Sequence, residues 1–500
     1  MGDVRIVSRR MVRPDPSIRW PPEHQPETIH PTPWDLRMLA VDYIQKGVLL
    51  PKTPAATTQG QGRNIPVVDR LSSSFASALG RFYHLAGRLA VNDDGAGAGQ
   101  TISLRCSNEG AEFVHAVAPG VTVADITAPL CIPRVVWSFF PLNGVLGAEA
   151  ATGSCPVLAA QVTDLDDGVF VAMSLNHGVA DWTTFWHLFN TWSEISRRSV
   201  DGGYDCEISS PLPVFERWFP NGCAVPIPVP LGKLDDIVGQ RRRAYGQRPP
   251  VLECFVRFSG ESVKNLVSKA NAEMSGSGTT ISSLQAMLAH LWRAVFRARR
   301  LAPEQDTRYV HLVGCRGRAD GMPAAYSGSA VSHVAADSTA GEILEKGLGR
   351  AAWLLNRAVA SFDGARERGG ARGLGPGAQL RVAAGARAGR RSSCAAVHGE
   401  LAAYRRVRQR LRVGRTGGGA ERRGEQAGRE GDGVRGRVRR REHGAGGVPR
   451  PGGARQARRR PGVHERHRAM ISGSPAGRPT DVHVIFCSFQ PAAFSIVLLM

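Results

Sequence analysis

The sequence predicts an α/β chain in two domains. An apolar, β-rich run, Val169-Phe170-Val171-Ala172-Met173-Ser174-Leu175, breaks at Asn176-His177-Gly178-Val179-Ala180-Asp181, and from Thr183 onward bulky residues recur at helical spacing. That pattern is a strand turning into a helix. Two further stretches, Leu71 to Leu89 and Ile281 to Ala294, carry apolar residues at i, i+3 and i+4 and read first of all as core helices. A Pro-rich, poorly periodic stretch runs from Pro211 to Pro230, after which β signal starts afresh at Val251-Leu252-Glu253-Cys254-Phe255-Val256-Arg257-Phe258.

The expected organisation is a first domain over residues 1–210, a Pro-rich crossover linker over 211–250 and a partial second domain over 251–363. An Arg/Gly-rich segment follows over 364–470, with an apolar tail over 471–500.

Hydrophobic residues make up 42% of the 500, enough for sizeable cores. Nine cysteines lie scattered without a CxxC pair, so neither a disulfide frame nor a zinc site is expected, and cytosolic thiols are. Met1-Gly2-Asp3-Val4-Arg5-Ile6 lacks the apolar core of a signal peptide. Val482 to Met500 is interrupted by Ser488, Gln490 and Pro491, so no membrane span is expected there. No G-x-S-x-G elbow and no P-loop is present, which argues against a serine hydrolase and a P-loop nucleotide hydrolase.

The net charge of +21 is local: residues 364–470 hold 28 Arg, no Lys and 8 acidic residues, a net +20. The same segment has no Trp, Phe or Ile, so by composition it cannot build a core and is expected to be disordered. Two explanations stay open. An arginine-rich tail can bind nucleic-acid phosphates, although Tyr404 is the single aromatic between Phe362 and Phe486. Alternatively, GC-rich coding DNA read out of frame yields this mixture of Arg, Gly, Ala and Pro. Written CGA CTT CGG GTG GGG, Arg410-Leu411-Arg412-Val413-Gly414 becomes DFGWG one base later, and Arg429 to Gly436 can become GKVTVYEG, a strand-like alternation.

His177 is the strongest candidate for chemistry. A corner between strand and helix can aim an imidazole into a cleft, and histidine has the unperturbed pKa closest to neutral, as a general base requires. Asp181, four residues on, can fix that ring or its loop; it is equally placed to cap the helix that follows, and a lone His near a strand end is often structural. No cluster of His, Cys and carboxylates is spaced to bind a metal, and none is expected.

The spacing His177-x-x-x-Asp181, with DFGWG in the shifted frame, resembles the plant BAHD acyl-CoA-dependent acyltransferases. Leu71 to Leu89 is similar to that family's LxxSLxxxLxxFYPLAGRL, with His84 where Pro is usual, and Ile281 to Ala294 to its ISxxxALxAHxWRA. Arg316-Gly317-Arg318 and Tyr326-Ser327-Gly328-Ser329-Ala330 resemble its RxR and YFGNA elements, with Ser327 and Ser329 replacing Phe and Asn. Ile29 to Leu36 is similar to one plant subgroup, and the resemblance spans residues 3 to 362.

The resemblance implies two chloramphenicol-acetyltransferase-like mixed-sheet domains around an interface channel. His177 is then the general base for acyl transfer from a CoA thioester to a hydroxyl or amine of a small plant metabolite, and Asp181 supports the geometry. Acyl-CoA is a co-substrate and no cofactor is tightly bound. Arg316 and Arg318 suit coenzyme A phosphates, a solvated loop being the simpler explanation. Trp182, where many members carry Gly, either narrows the acceptor pocket or packs. A cytoplasmic monomer of secondary metabolism is expected, with acyl-CoA and a small-molecule acceptor as partners, no membrane, and nucleic acid the less favoured alternative. The rival is an arginine-rich nucleic-acid-binding protein on an inactive acyltransferase-like body.

If residues 364–470 are the product as written, the second domain lacks several strands and the DFGWG loop, and such a product is expected to be unstable or inactive. Sequencing the transcript from the codon for Phe362 to that for Met470 separates the explanations. A base gained or lost near codon 364 restores DFGWG, whereas a confirmed frame turns attention to RNA binding by the Arg/Gly segment.

Overall fold

A computed structural model describes residues 3–18, 27–52, 67–93, 99–152, 155–198, 208–219, 223, 225–229, 232–246, 254–255, 258–319 and 321–362, and the short strands 394–398, 483–487 and 496–497. The first lobe contains β1 (Arg5–Val12), β2 (Thr28–Ile29), α1 (Pro33–Arg37), β3 (Ile44–Pro51), α2 (Val67–Arg81), β4 (Arg88–Asp93), β5 (Gln100–Arg105), β6 (Ala111–Val117), α3 (Val123–Thr127), β7 (Leu158–Asp164), β8 (Gly168–Leu175) and α4 (Trp182–Arg198). α5 (Leu234–Gly246) and β9 (Cys254–Phe255) follow, and then the second lobe: α6 (Gly260–Glu273), α7 (Ser283–Arg299), β10 (Asp306–Gly314), β11 (Val331–Thr339), α8 (Ala340–Glu345) and α9 (Gly347–Ala360). Three strands from the later chain complete the list, β12 (Cys394–His398), β13 (His483–Cys487) and β14 (Ile496–Val497).

The first lobe is built on a six-stranded mixed sheet, order β1-β6-β7-β8-β3-β13, in which β6 and β7 run parallel and the other neighbours antiparallel. All eight residues of β8 are buried, as expected for a strand covered on both faces. Register places Phe113, Ala160, Met173 and Lys46 in one row across β6, β7, β8 and β3. The helices α2 and α4 pack on that face: Trp192 of α4 lies tilted against Phe75 of α2, ring centroids 4.9 Å apart, and edge-on to Phe113. On the other face Phe170 meets Phe139 and Phe140 from the turn at 134–140. At Gly47 any Cβ would run into the Phe170 ring, so β3 and β8 pack closely there only because the side chain is absent.

A smaller antiparallel sheet, β2-β5-β4, lies alongside, and the second lobe packs α6, α7 and α9 around Trp292, Phe296 and Tyr309 beside the β11-β10-β12 sheet. Ser282 and Gln285 form a reciprocal capping box that starts α7 where the sequence places it.

The expected linker is more than a tether. Within 211–250 the structure contains the 13-residue helix α5, and its Leu234 and Ile237 join the first-lobe core. The Pro-rich neighbourhood hides the helix, but Asp235 and Asp236 in its first turn complement its dipole. Of the predicted strand 251–258 only Cys254–Phe255 is described as strand. Within the Arg/Gly segment the apolar run Cys394-Ala395-Ala396-Val397 forms β12, parallel to β10. The rest of 364–470 lies outside the described residues, as does the tail apart from β13 and β14. Among the described residues no helix is long and apolar enough to cross a membrane.

Trp192 joins α2, α4 and β6, and its indole N–H donates to Leu71 O at 2.9 Å and to Ser74 Oγ at 3.1 Å. Trp192→Ala is expected to cost about 3–5 kcal/mol in a chemical-denaturation measurement, the range for emptying an aromatic core site.

Candidate functional site

β8 ends because Asn176 ends it. Its fully buried side chain donates to Gly147 O at 2.9 Å, while Oδ1 accepts the Gly178 N–H at 2.8 Å, closing a local turn just after its own N–H donates to Val157 O at 2.8 Å. Gly178 fits this turn without a Cβ, which would come within 2.6 Å of Leu39 Cδ2. His177 is carried on that turn, partly buried, and its Nδ1 is a buried atom with no hydrogen-bond partner. Burial, the largest effect, lowers the His177 pKa below the ordinary histidine value. The backbone carbonyls of His177 and Ala180 and the charges of Asp181 and Asp35 work against it but do not prevail. At neutral pH the ring is therefore neutral.

Asp181 is fully buried and does two jobs. Oδ1 accepts the N–H groups of Thr183 (3.0 Å) and Thr184 (3.1 Å), which makes it the cap of α4. Oδ2 reaches the second lobe, accepting from Arg316 Nη1 at 2.5 Å and from the Ala330 N–H at 2.9 Å. Burial alone would raise its pKa; Arg316 and these amides outweigh it and hold the carboxylate below its usual value. The cap of α4 and the contact with the second lobe are thus one geometry.

Arg316 is turned inward. Besides Asp181, it donates through Nε and Nη2 to Tyr326 O (3.1 and 2.8 Å) and through Nη2 to Gly328 O (2.8 Å) and Thr184 Oγ1 (3.2 Å). Each of its nitrogens is occupied within the protein, so it clamps the lobes and does not face a phosphate. Arg318 is exposed, donates to Gly314 O at 2.8 Å, and lines a cavity of about 430 Å³ with Ser282, Ser283, His311 and Leu355. His311 Nδ1 is buried there without a partner. Trp182 packs against the first-lobe core, and the Lys46 ammonium lies 4.1 Å from its ring centroid.

Two residues of this assembly are not foreseen in the sequence. Asp35 of α1, fully buried, accepts from Thr32 and from the Ser329 N–H at 2.9 Å, so Asp35 and Asp181 hold consecutive amides of the second lobe. The T-x-x-D spacing of Thr32 and Asp35 signals a capping box, but nothing local signals its reach to Ser329. Arg217, from the linker, donates to Ser327 O (2.8 Å) and Val179 O (3.2 Å). Two positions that depart from the family pattern also meet: His84 Nε2 lies 3.2 Å from Ser327 Oγ, and complete burial holds the His84 pKa well below the ordinary value. Among the described residues no group of three or more His, Cys, Asp or Glu side chains is placed to hold a metal ion.

The model of the Transferase family matches residues 3–369. An uncharacterized acetyltransferase of Arabidopsis thaliana is 32% identical over 364 residues, 72% of this chain and 77% of that protein. The BAHD acyltransferase DCR of the same plant is 30% identical, covering 72% of each. Among solved structures, TRI101 of F. sporotrichioides, crystallised with coenzyme A and T-2, aligns with a TM-score of 0.50 at 17% identity over 74% of this chain and 83% of that one, a likeness of fold. The chain therefore belongs to the Transferase family, that of the BAHD acyltransferases, and is an acyl-CoA-dependent acyltransferase of the two-lobed chloramphenicol-acetyltransferase-like fold.

Proposed function

We propose that His177 is the general base that lets an acceptor hydroxyl or amine attack the thioester carbonyl of an acyl-CoA. The observation that carries this reading is a neutral imidazole, its loop pinned by Asn176 and Asp181, beside the contact between the lobes. As the acceptor oxygen or nitrogen bonds to the carbonyl carbon, its proton passes to His177. When the tetrahedral adduct collapses the C–S bond breaks, and the imidazolium returns the proton to the leaving thiolate. Asp181 holds the loop and the lobe contact and does not take the proton.

The CoA phosphates suit the cavity at the start of α7. There the N-terminal end of the dipole of a 17-residue helix, its first residue Ser283, and the Arg318 guanidinium supply positive potential, and both belong to the lobe that clamps Asp181. Trp182, one residue beyond Asp181, is proposed to wall the acceptor side. The relatives, an acetyltransferase and a rosmarinate synthase among them, support acyl transfer to small molecules. A cytoplasmic, monomeric enzyme of secondary metabolism completes the proposal, the compartment supported by Cys106, Cys131, Cys155, Cys223 and Cys315, which are free thiols among the described residues.

His177→Ala is expected to lower kcat/KM by about 10²- to 10⁴-fold in a thioester-consumption assay; activity equal to wild type would remove His177 from the chemistry. In the wild-type chain kcat/KM should rise with pH through an acid limb below the ordinary histidine pKa of 6.5, since the neutral ring is the active form. Either Asp181→Asn or Arg316→Met alone leaves one charge buried and is expected to cost about 3–5 kcal/mol by denaturation. The double variant should cost clearly less than the two together, and simple additivity would show that the pair is not coupled.

A further inference from the structure

Asp181 and Asn176 hold the two ends of the 177–181 loop, and its middle is held by a residue of the linker. Arg217 is buried, its side chain 6% exposed. Through Nη2 it donates to the carbonyl of Val179, the central residue of that loop, and through Nη1 to Ser327 O of the second lobe. The same Nη1 lies 4.0 Å from Oδ2 of the buried Asp35, whose other oxygen takes the Ser329 N–H. One guanidinium thus joins the base-bearing loop, the second lobe and a carboxylate on α1.

Cohesion alone does not call for this arrangement. A buried ion pair is commonly matched or bettered by apolar side chains of similar volume, and the Asp181–Arg316 clamp already joins the lobes a few residues away. What Arg217 and Asp35 add is a fixed point on Val179 and a counter-charge 4.0 Å from the guanidinium that makes it.

We propose that Arg217 and Asp35 are a positioning pair for His177: Arg217 fixes the height of the 177–181 loop against the second lobe, and Asp35 balances the Arg217 charge beside that loop. The inference rests on the reading of His177 as the base. The charged and titratable groups around the pair are Asp35 itself, the Tyr326 ring 5.9 Å from the guanidinium, and Cys106, with His84 behind it. Around His177 they are Asp181 and Asp35, with Arg316 behind Asp181.

The test uses the full chain and two readouts. The first is the titration of the His177 ring by NMR, assigned by the signal lost in His177→Gln. In Asp35→Asn the midpoint is expected to fall, because the Arg217 charge on the 177–181 loop is left uncompensated. In Arg217→Met it should not fall. The second readout is turnover of acetyl-CoA, followed by thiol release with a panel of phenolic and amine acceptors. Arg217→Met is expected to lose about 100-fold in kcat with little change in KM, the scale of a misplaced catalytic group. Arg217→Lys, which keeps the charge but not the fork, should recover part of that loss.

An unmoved midpoint in Asp35→Asn, or wild-type kcat in Arg217→Met, overturns the proposal. Should Arg217→Met fail to fold, Arg217→Lys and Asp35→Asn still decide it. If His177→Ala turns over acetyl-CoA as fast as wild type, the base reading falls, while the titration continues to report on the pair.

Discussion

Asp181 and Arg316 are 135 residues apart in sequence and both withdrawn from water, and neither charge would tolerate that burial without the other. Desolvating a carboxylate and a guanidinium costs several kcal/mol per ion, and the geometry offsets it because each carboxylate oxygen and each guanidinium nitrogen has a partner. Asp181 has three amides besides Arg316, and Arg316 has two carbonyls and the Thr184 hydroxyl besides Asp181. The start of α4, the turn that carries His177 and the 326–330 segment of the second lobe are thereby one electrostatic unit, and a change in any of them reaches the others.

That unit also fixes how the molecule responds to acid. His84 and His177 are held neutral by burial, and Asp181 is held ionised by its partners. A histidine whose folded pKa is depressed binds fewer protons than in the unfolded chain. Its contribution is present above the unfolded value near 6.5 and is lost as pH falls through the folded one. A depressed carboxylate behaves likewise, its contribution disappearing as pH falls from the unfolded carboxylate value through the folded one. All three therefore act in one direction, favouring the fold at neutral pH, where the imidazole is also free to accept a proton.

The parts of this architecture legible in the sequence are those set by neighbours in the chain. The β8-to-α4 corner, α2 and α7 announce themselves through hydrophobic period and caps, because the physics that forms them acts within a few residues. α5 is obscured by the prolines before it, although its acidic first turn is a usable signal. Arg316 shows a different limit. A guanidinium suits a phosphate and a carboxylate equally well, so its type cannot say which it meets, and only the fold, by bringing Asp181 to 2.5 Å, decides. The reach of Asp35 to Ser329, 294 residues away, and of Arg217 to Val179 has no local trace. Nor does the meeting of His84 with Ser327, which turns two separate departures from the family pattern into one polar contact.

The position of these contacts along the chain bears on the Arg/Gly segment. Asp35, Asn176, His177, Asp181, Arg217, Arg316 and the amides of Ser329 and Ala330 all lie before residue 331, as do Ser282, His311 and Arg318 of the cavity beside α7. His177, its supports and the proposed phosphate site are therefore encoded upstream of any frame change near codon 364. What the later segment governs is the edge of the second sheet, where β10 pairs with β11 on one side and, on the other, with β12 over five register positions of its nine residues. A strand edge left short exposes unpaired backbone groups and invites association with other chains. The cost of the Arg/Gly reading thus falls first on the second lobe's sheet and only secondarily on the geometry around His177.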